Sequence, residues 1–500
     1  MKALAVRGSE QISSVLVEGY SKVEDSRIGA GLWAFSWDAL DAPGDCVQGS
    51  VEYSGGHVLL DIPFGELLGT PGVVVIGGPP QPPNYVDHVF GFTRTGFYAV
   101  LINARYAGGT ASIPGGSSQS VDADSLLLSR VRFDPLEYVR KMELGLKGLN
   151  EWAGLFPASV SFDKETHMLR SVQVDLERDK DNRVLMDDAW MKIELFHTLS
   201  SSSISVEGIS IRHDCKLSIV FKEPVPLDGA IATASLLERF FSFCTEQLAE
   251  VVDLHVWFAE HEERVDCYYP FPQARQEDKK LDSREVPLRY AVFESGIPEI
   301  LERWINAEGG LKTARDIVSS FDAGKWDLPL SNAFVVASQA LEGLTKYGID
   351  LHSLDPQVYK RYRKIALDSI AEQEVREWVT MRLNGNSKGQ STLFDELYER
   401  HSEVFEWLIP GGAGEFFKVQ KDIRNSSIHP GGTRRESSSP RNDVDIYWHM
   451  RCCTLICKLV VAKLMGFEFD KVIESLKHNN KWAVVIRHAR DMYSSKPRNE

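Results

Sequence analysis

Near residue 284 of this 500-residue chain the apolar residues change their spacing, and that change limits what the chain can fold into. Before it they alternate or gather in short runs punctuated by Gly and Pro, the period-2 signature of strands; after it they recur every three or four residues, as on helices. The length exceeds what one hydrophobic core serves, so the change also predicts separate domains. The expected class is α+β and multidomain: a β-rich N-terminal region of antiparallel sheets with an α+β continuation, followed by an all-α helical bundle. The expected boundaries are 1–165, 166–283 and 284–500.

In the first region Val51-Glu52-Tyr53 and His57-Val58-Leu59-Leu60 flank Ser54-Gly55-Gly56, which predicts a hairpin. Val73 to Ile76 reads as a buried strand that the proline-rich 79–83 run cannot extend. Strands are also predicted at Phe97 to Ile102 and Leu126 to Phe133, with the Gly/Ser-rich stretch 108–120 as a separator. Alternation resumes at Val172, Val174 and Leu176, at Met191, Ile193 and Leu195, and at Ile209 and Ile211. It then gives way to helical spacing at Leu236, Leu237, Phe240, Phe241 and Cys244. Gln273 to Asp282 reads as a linker. Helices are expected at Ile297 to Ile305, Phe334 to Leu344, Gln373 to Leu383, Glu415 to Ile428 and Val444 to Leu464, enough for a bundle.

The formal charge of −15 argues against binding nucleic acid through bulk attraction, so any such contact must be local. No unbroken apolar run is long enough for a bilayer span, and the N-terminus lacks a secretory pattern, so a soluble, cytoplasmic protein with no membrane partner is expected. Seven scattered cysteines suggest reduced, buried thiols rather than a disulfide framework.

One segment carries chemistry: Arg424-Asn425-Ser426-Ser427-Ile428-His429. Phe416, Val419 and Ile423 give the preceding helix a buried stripe, and Pro430-Gly431-Gly432 ends it. His429 is thus expected at the C-terminal cap with Arg424 in the last turns, close enough to converge once the final turn frays. Partial negative charge at the helix end favours a protonated His, while the nearby Arg opposes it. Cleaving RNA without metal requires a base for the 2′-hydroxyl, an acid for the leaving 5′ oxygen and a cation on the phosphate. His429 suits the proton work, Arg424 the clamp, and Asn425 a hydrogen bond to phosphate or to the His ring. Among the 13 histidines no other follows an Arg at four to six intervening residues. The loop beyond carries Arg434, Arg435 and Arg441, cations gathered in an otherwise acidic chain and candidate RNA contacts.

The Arg424-Asn425-x-x-x-His429 segment resembles the R-x4-6-H signature of HEPN domains. The two-part layout resembles bacterial ApeA-like anti-phage proteins, through Gly31-Leu32-Trp33, Gln48-Gly49-Ser50-Val51, Gly91-Phe92-Thr93 and Gly148-Leu149-Asn150-Glu151-Trp152. The resemblance implies a HEPN helical bundle and a metal-independent endoribonuclease that acts as a homodimer, with two motifs facing each other. It further implies abortive infection through host RNA, tRNA among the targets; the β-rich module is then expected to act as sensor or regulator, with a phage-derived trigger as a candidate partner. It also places an acidic residue of an earlier helix near the motif Arg, and Glu342 matches that place. The long Ser-rich loop after His429 departs from the pattern. The alternative is a non-catalytic HEPN scaffold that binds RNA or protein; a β binding module with a helical oligomerisation tail is a third reading.

No cofactor or metal is expected. His213, Cys215, Cys244, Cys267 and His261 lack C-x2-C or H-x3-H spacing and read as core thiols and surface imidazoles. Cys452, Cys453 and Cys457 suit packing on an apolar helix. The glycine pairs at 77–78, 108–109 and 115–116 lack the Lys-Ser/Thr ending of a phosphate loop. Trp33 and Trp152 read as core.

Overall fold

The computed structural model describes residues 26–54, 56–69, 83–112, 116–154, 158–162, 169–174, 183–205, 208–271, 281–283, 285–324, 328–383, 385–428, 442–477 and 479–493. They form two compact units that divide between Glu302 and Arg303. The first is β-rich and the second helical, as the change of period predicts.

The first six strands are β1 (Ser26–Ala34), β2 (Val47–Ser54), β3 (His57–Phe64), β4 (Tyr85–Thr93), β5 (Tyr98–Ser112) and β6 (Gly116–Ala123). Their antiparallel pairings run β5-β4-β1-β2-β3-β6 and return to β5, which closes a barrel and removes its edges. Alternate residues point inward: Val51 and Tyr53 on β2, and Val58, Leu60 and Ile62 on β3, are buried together with Trp33 and Leu101. Trp33 fits because its neighbours lack side chains. A Cβ on Gly91, its cross-strand partner, would lie 2.5 Å from the indole, and the indole N–H donates to Gly49 O at 3.2 Å. The β2–β3 hairpin pairs Ser54 with His57, and Gly56 has a φ of +79° in the turn.

The stretch 108–120 departs from expectation. Residues 108–112 and 116–120 are strand rather than separator, with Thr110 opposite Ser118 and Ser112 opposite Gly116. Ladder hydrogen bonds need no apolar side chain, and at Gly109 a Cβ would lie 2.6 Å from Ser118 O, so the composition that suggests a loop here permits close strands. The strand expected at Val73 to Ile76, its proline-rich sequel and most of the Gln273 to Asp282 linker lie outside the described residues.

From β5 the sheet continues through β7 (Ser125–Ser129), β15 (Val265–Tyr268), β14 (Val251–Phe258), β8 (Val139–Leu146), β13 (Gly208–Val225), β12 (Met191–Ser205) and β11 (Arg183–Asp187), while β9 (Ala158–Phe162) and β10 (Leu169–Val174) pair separately. Helix α1 (Trp37–Leu40) is a single turn; α2 (Leu149–Ala153) and α3 (Leu227–Thr245) hold Trp152, fully buried, edge-on to Phe241 at 4.8 Å between centroids. α4 (Tyr290–Phe293) and α5 (Ile297–Ile305) follow.

The helical unit contains α6 (Gly309–Asp322), α7 (Leu330–Lys346), α8 (Pro356–Asp368), α9 (Gln373–Arg382), α10 (Gln390–Arg400), α11 (Ser402–Leu408), α12 (Ala413–Ile428), α13 (Asp443–Met465), α14 (Phe469–Lys477) and α15 (Asn480–Tyr493). α13 is its central rod: it starts at Asn442, whose side chain accepts from Asp445 N–H, stops at Gly466 with φ +99°, and is buried almost all round from His449 to Ala462. α6 and α7 cross at Gly310 and Gly343, where a Cβ on either residue would overlap the other's backbone carbonyl. No described helix is long and apolar enough to cross a membrane.

Inside this core Lys458 of α13 holds Asp322 at the end of α6, Nζ to Oδ2 at 2.6 Å, with the side chains 1% and 2% exposed. Removing one partner strands a buried charge, whereas removing both exchanges the pair for apolar packing. Lys458→Met is expected to lower stability by about 3–5 kcal/mol in denaturant titrations and the Lys458→Met, Asp322→Leu double variant to recover most of it; equal losses in both would refute the pairing.

Burial, with Lys463 and Arg400 adding to it, pulls the His401 imidazole from the ordinary 6.5 down to about 4. The unfolded chain therefore takes up this proton first, so the contribution is whole above pH 6.5 and drains away as pH falls toward 4. Allowing for solvent screening, about 2 kcal/mol is at stake. His401→Asn is expected to flatten the decline in melting temperature between pH 7 and pH 4.5 relative to the unaltered chain.

Candidate active site

Helix α12 owes its orientation to Phe416, Val419 and Ile423, all buried at helical spacing. It begins beside Gly412, where the absent Cβ leaves room for the carbonyl of Tyr493 at the end of α15. One turn apart on it stand Gln420 and Arg424, facing Ser338 and Glu342, one turn apart on α7. Two rungs result. Gln420 Nε2 donates to Ser338 Oγ at 2.7 Å. Arg424 Nη2 donates to Glu342 Oε2 at 3.1 Å, and Arg424 Nε lies 2.5 Å from Glu342 Oε1. Oε1 has no aligned hydrogen bond, so that second approach is ionic contact rather than a matched fork. Both rungs advance toward the C-termini, so the two helices run in the same direction. The Arg424–Glu342 pair sits four residues before the last residue of each, Ile428 and Lys346.

With side chains 31% and 20% exposed, the pair contributes roughly 0–1 kcal/mol to stability. Its effect is to aim the guanidinium. Arg424 is held in place by a carboxylate at the tip of the bundle while part of its surface still meets solvent.

Behind the rungs lies a polar chain in the core. His449, wholly buried, packs against Phe416 and Phe334 with centroids 4.8 and 5.8 Å away. Its Nε2 is 2.7 Å from Gln420 Oε1, and its Nδ1 is 2.5 Å from Tyr493 Oη. An amide oxygen only accepts, so Nε2 carries the proton and Nδ1 accepts from the tyrosine hydroxyl. The direction then carries through: Tyr493 donates to His449, His449 to Gln420, Gln420 to Ser338, and Ser338 Oγ to Phe334 O at 2.8 Å. Each link fixes the next, which sets Gln420 one turn below Arg424.

Arg424 and Glu342 are thus brought together, and Asn425 is exposed one residue on. His429, Arg434, Arg435 and Arg441 lie outside the described residues. Gln420, Ser338, His449 and Tyr493 escaped the sequence reading because their partners are 82, 29 and 44 residues away. The available signal was Gln420 one turn before Arg424 and a histidine at the head of the apolar run of α13. Cys452 and Cys457 are buried, and burial pushes their thiols well above the ordinary range, as suits packing.

Among the described residues one group could hold a metal ion, and it lies in the β-rich unit: His197, His213 and Cys215. Cys244 in α3, Cys267 on β15 and His261 are not part of it. Burial raises the Cys267 thiol to about 12.

Gln420→Leu removes the middle of the polar chain and leaves His449 Nε2–H and Ser338 Oγ without that partner in the core. A loss of about 1–3 kcal/mol is expected in denaturant titrations, against no change if the chain is dispensable.

No curated relative and no solved structure matches the chain. Two family models do: one described as ApeA N-terminal domain 1 over residues 30–304, more than half of the chain, and one described as Apea-like HEPN over residues 336–471. The second match spans Glu342, Arg424 and His429, so the rungs at the tip of α7 and α12 lie inside a HEPN domain, and the chain belongs to the ApeA family of HEPN-type anti-phage nucleases.

Proposed function

We propose that this chain is a metal-independent endoribonuclease whose reacting groups are Arg424 and His429, with Glu342 positioning the Arg and Asn425 beside it. The observation that carries this reading is the Arg424–Glu342 pair at the shared end of two co-directional helices, one turn ahead of the point where the sequence places His429. A guanidinium fixed by a carboxylate and still reachable by solvent suits a phosphate clamp, because it is aimed before the substrate arrives and needs no reorganisation as charge builds. His429 supplies proton transfer near neutral pH. Attack of the ribose 2′-oxygen on phosphorus breaks the bond to the 5′-oxygen, so the products are a 2′,3′-cyclic phosphate and a 5′-hydroxyl, with one imidazole taking a proton and another giving one. Two copies of the motif facing each other in a homodimer supply both imidazoles, which is why dimerisation belongs to the proposal. Arg434, Arg435 and Arg441 add local positive charge to an acidic chain, as RNA binding requires. The substrate is host RNA, with tRNA the leading candidate. The purpose is abortive infection in the bacterial cytoplasm, released by a phage-derived trigger acting on the β-rich module.

Incubation of the purified chain with tRNA and a chelator is expected to give fragments carrying those ends. Arg424→Ala and His429→Ala should each abolish cleavage with unchanged circular dichroism, and Glu342→Gln should slow it about 10- to 100-fold by loosening the clamp. Full cleavage by both Ala variants would reject the assignment, and RNA binding without cleavage by the unaltered chain would favour the scaffold reading.

A further inference from the structure

Strands β12 and β13 form a hairpin longer than the sheet that supports it. β13 pairs with β8 only from Lys216 onward, opposite Gly145, and β11 covers β12 only up to Leu195. Beyond those points, among the described residues, the two strands pair only with each other toward Ser205 and Gly208. An unsupported two-stranded ribbon is marginal, and its base is where a cross-link would hold it best.

That base carries His197, His213 and Cys215. His197 is the cross-strand partner of Cys215, and His213 stands two residues before Cys215 on the same strand, so the pleat sends all three side chains to one face. His197 Nδ1 is 2.8 Å from His213 Nε2 and 3.3 Å from Cys215 Sγ, and Cys215 Sγ is 4.0 Å from His213 Nε2. The imidazoles lie nearly parallel, 18° apart with centroids at 5.0 Å. In a tetrahedral zinc site, bond lengths near 2.05 and 2.3 Å put nitrogens about 3.3 Å apart and nitrogen and sulfur about 3.6 Å apart. Shifts of roughly half an ångström in the rings turn the observed triangle into one face of such a tetrahedron.

The backbone between the two β13 ligands is clamped. Asn150 of α2 donates through Nδ2 to His213 O at 3.0 Å and accepts at Oδ1 from Cys215 N–H at 2.5 Å. Cys215 is buried and the two imidazoles partly so, which gives a soft ligand in a site that water still enters. Acidic groups are absent from the triad, so calcium and magnesium, which seek carboxylates, are poor matches, while imidazole with thiolate suits zinc and its neighbours.

The geometry points to a site for one zinc-class divalent ion at the base of the β12–β13 hairpin, with His197 Nδ1, His213 Nε2 and Cys215 Sγ as three ligands and a water molecule completing the tetrahedron. Binding releases the Cys215 thiol proton to solvent. The site is separate from the RNA-cleaving groups and stands or falls without them.

The test uses untagged full-length chain, stripped with a chelator, desalted and titrated with Co²⁺ alone. Saturation at about one ion per chain is expected, with the thiolate-to-cobalt charge-transfer band and the intense visible bands of four-coordinate cobalt, all displaced by Zn²⁺. Cys215→Ser should remove the charge-transfer band and His213→Gln weaken the ion at least tenfold. Where circular dichroism shows Cys215→Ser unfolded, His197→Gln decides, since its amide still forms hydrogen bonds. A featureless titration of the unaltered chain, a charge-transfer band that persists in Cys215→Ser, or cobalt affinity unchanged in His197→Gln overturns the site.

Discussion

A guanidinium at a helix tip has many rotamers and water on most sides, so aiming it requires a partner that is itself aimed. Here the partner is Glu342, and its place follows from a chain of hydrogen bonds that runs in one direction through the core. Tyr493, His449, Gln420 and Ser338 hand the donor role along until it ends on a helical carbonyl. Gln420 cannot turn without stranding two buried groups, and α12 therefore meets α7 in one register. Arg424 opposite Glu342 is the solvent-facing continuation of that register. The ion pair adds little stability, and most of its value is geometric.

The bundle achieves the same end in its interior by a costlier device. Lys458 and Asp322 are both withdrawn from water, an arrangement that apolar side chains would replace with little loss of stability. What the pair supplies is discrimination, because a turn's slip of α13 past α6 would leave two unmatched charges in an apolar core. Buried polar contacts thus fix register on two sides of the central rod, one through Lys458 and one through His449.

Features that depend on local pattern were legible in the sequence; features that depend on long-range pairing were not. The β2–β3 hairpin is visible because alternation and a glycine turn lie within a dozen residues, α7 and α12 because their buried faces repeat every turn, and α13 because its apolar run is long. Helices α8 and α9 have no buried residues, so no apolar stripe announces α8, and the paired strands at 108–112 and 116–120 hide behind glycine and serine. At the site, Arg424 stood out through its motif and Glu342 through resemblance. Gln420 and His449 did not, since a buried amide or imidazole acquires meaning only from a partner far along the chain. His197 was missed for the same reason: its companions lie 16 and 18 residues away across a strand pair.

The crossing of α6 and α7 sets a further limit. With glycine against glycine at positions 310 and 343, the two backbones touch, and Gly343 directly follows Glu342. Helices meeting at this distance have no cushion of flexible side chains on which to slide, so shear between them is blocked. Any control of the proposed site therefore leaves the carboxylate where it is and works on what approaches the arginine.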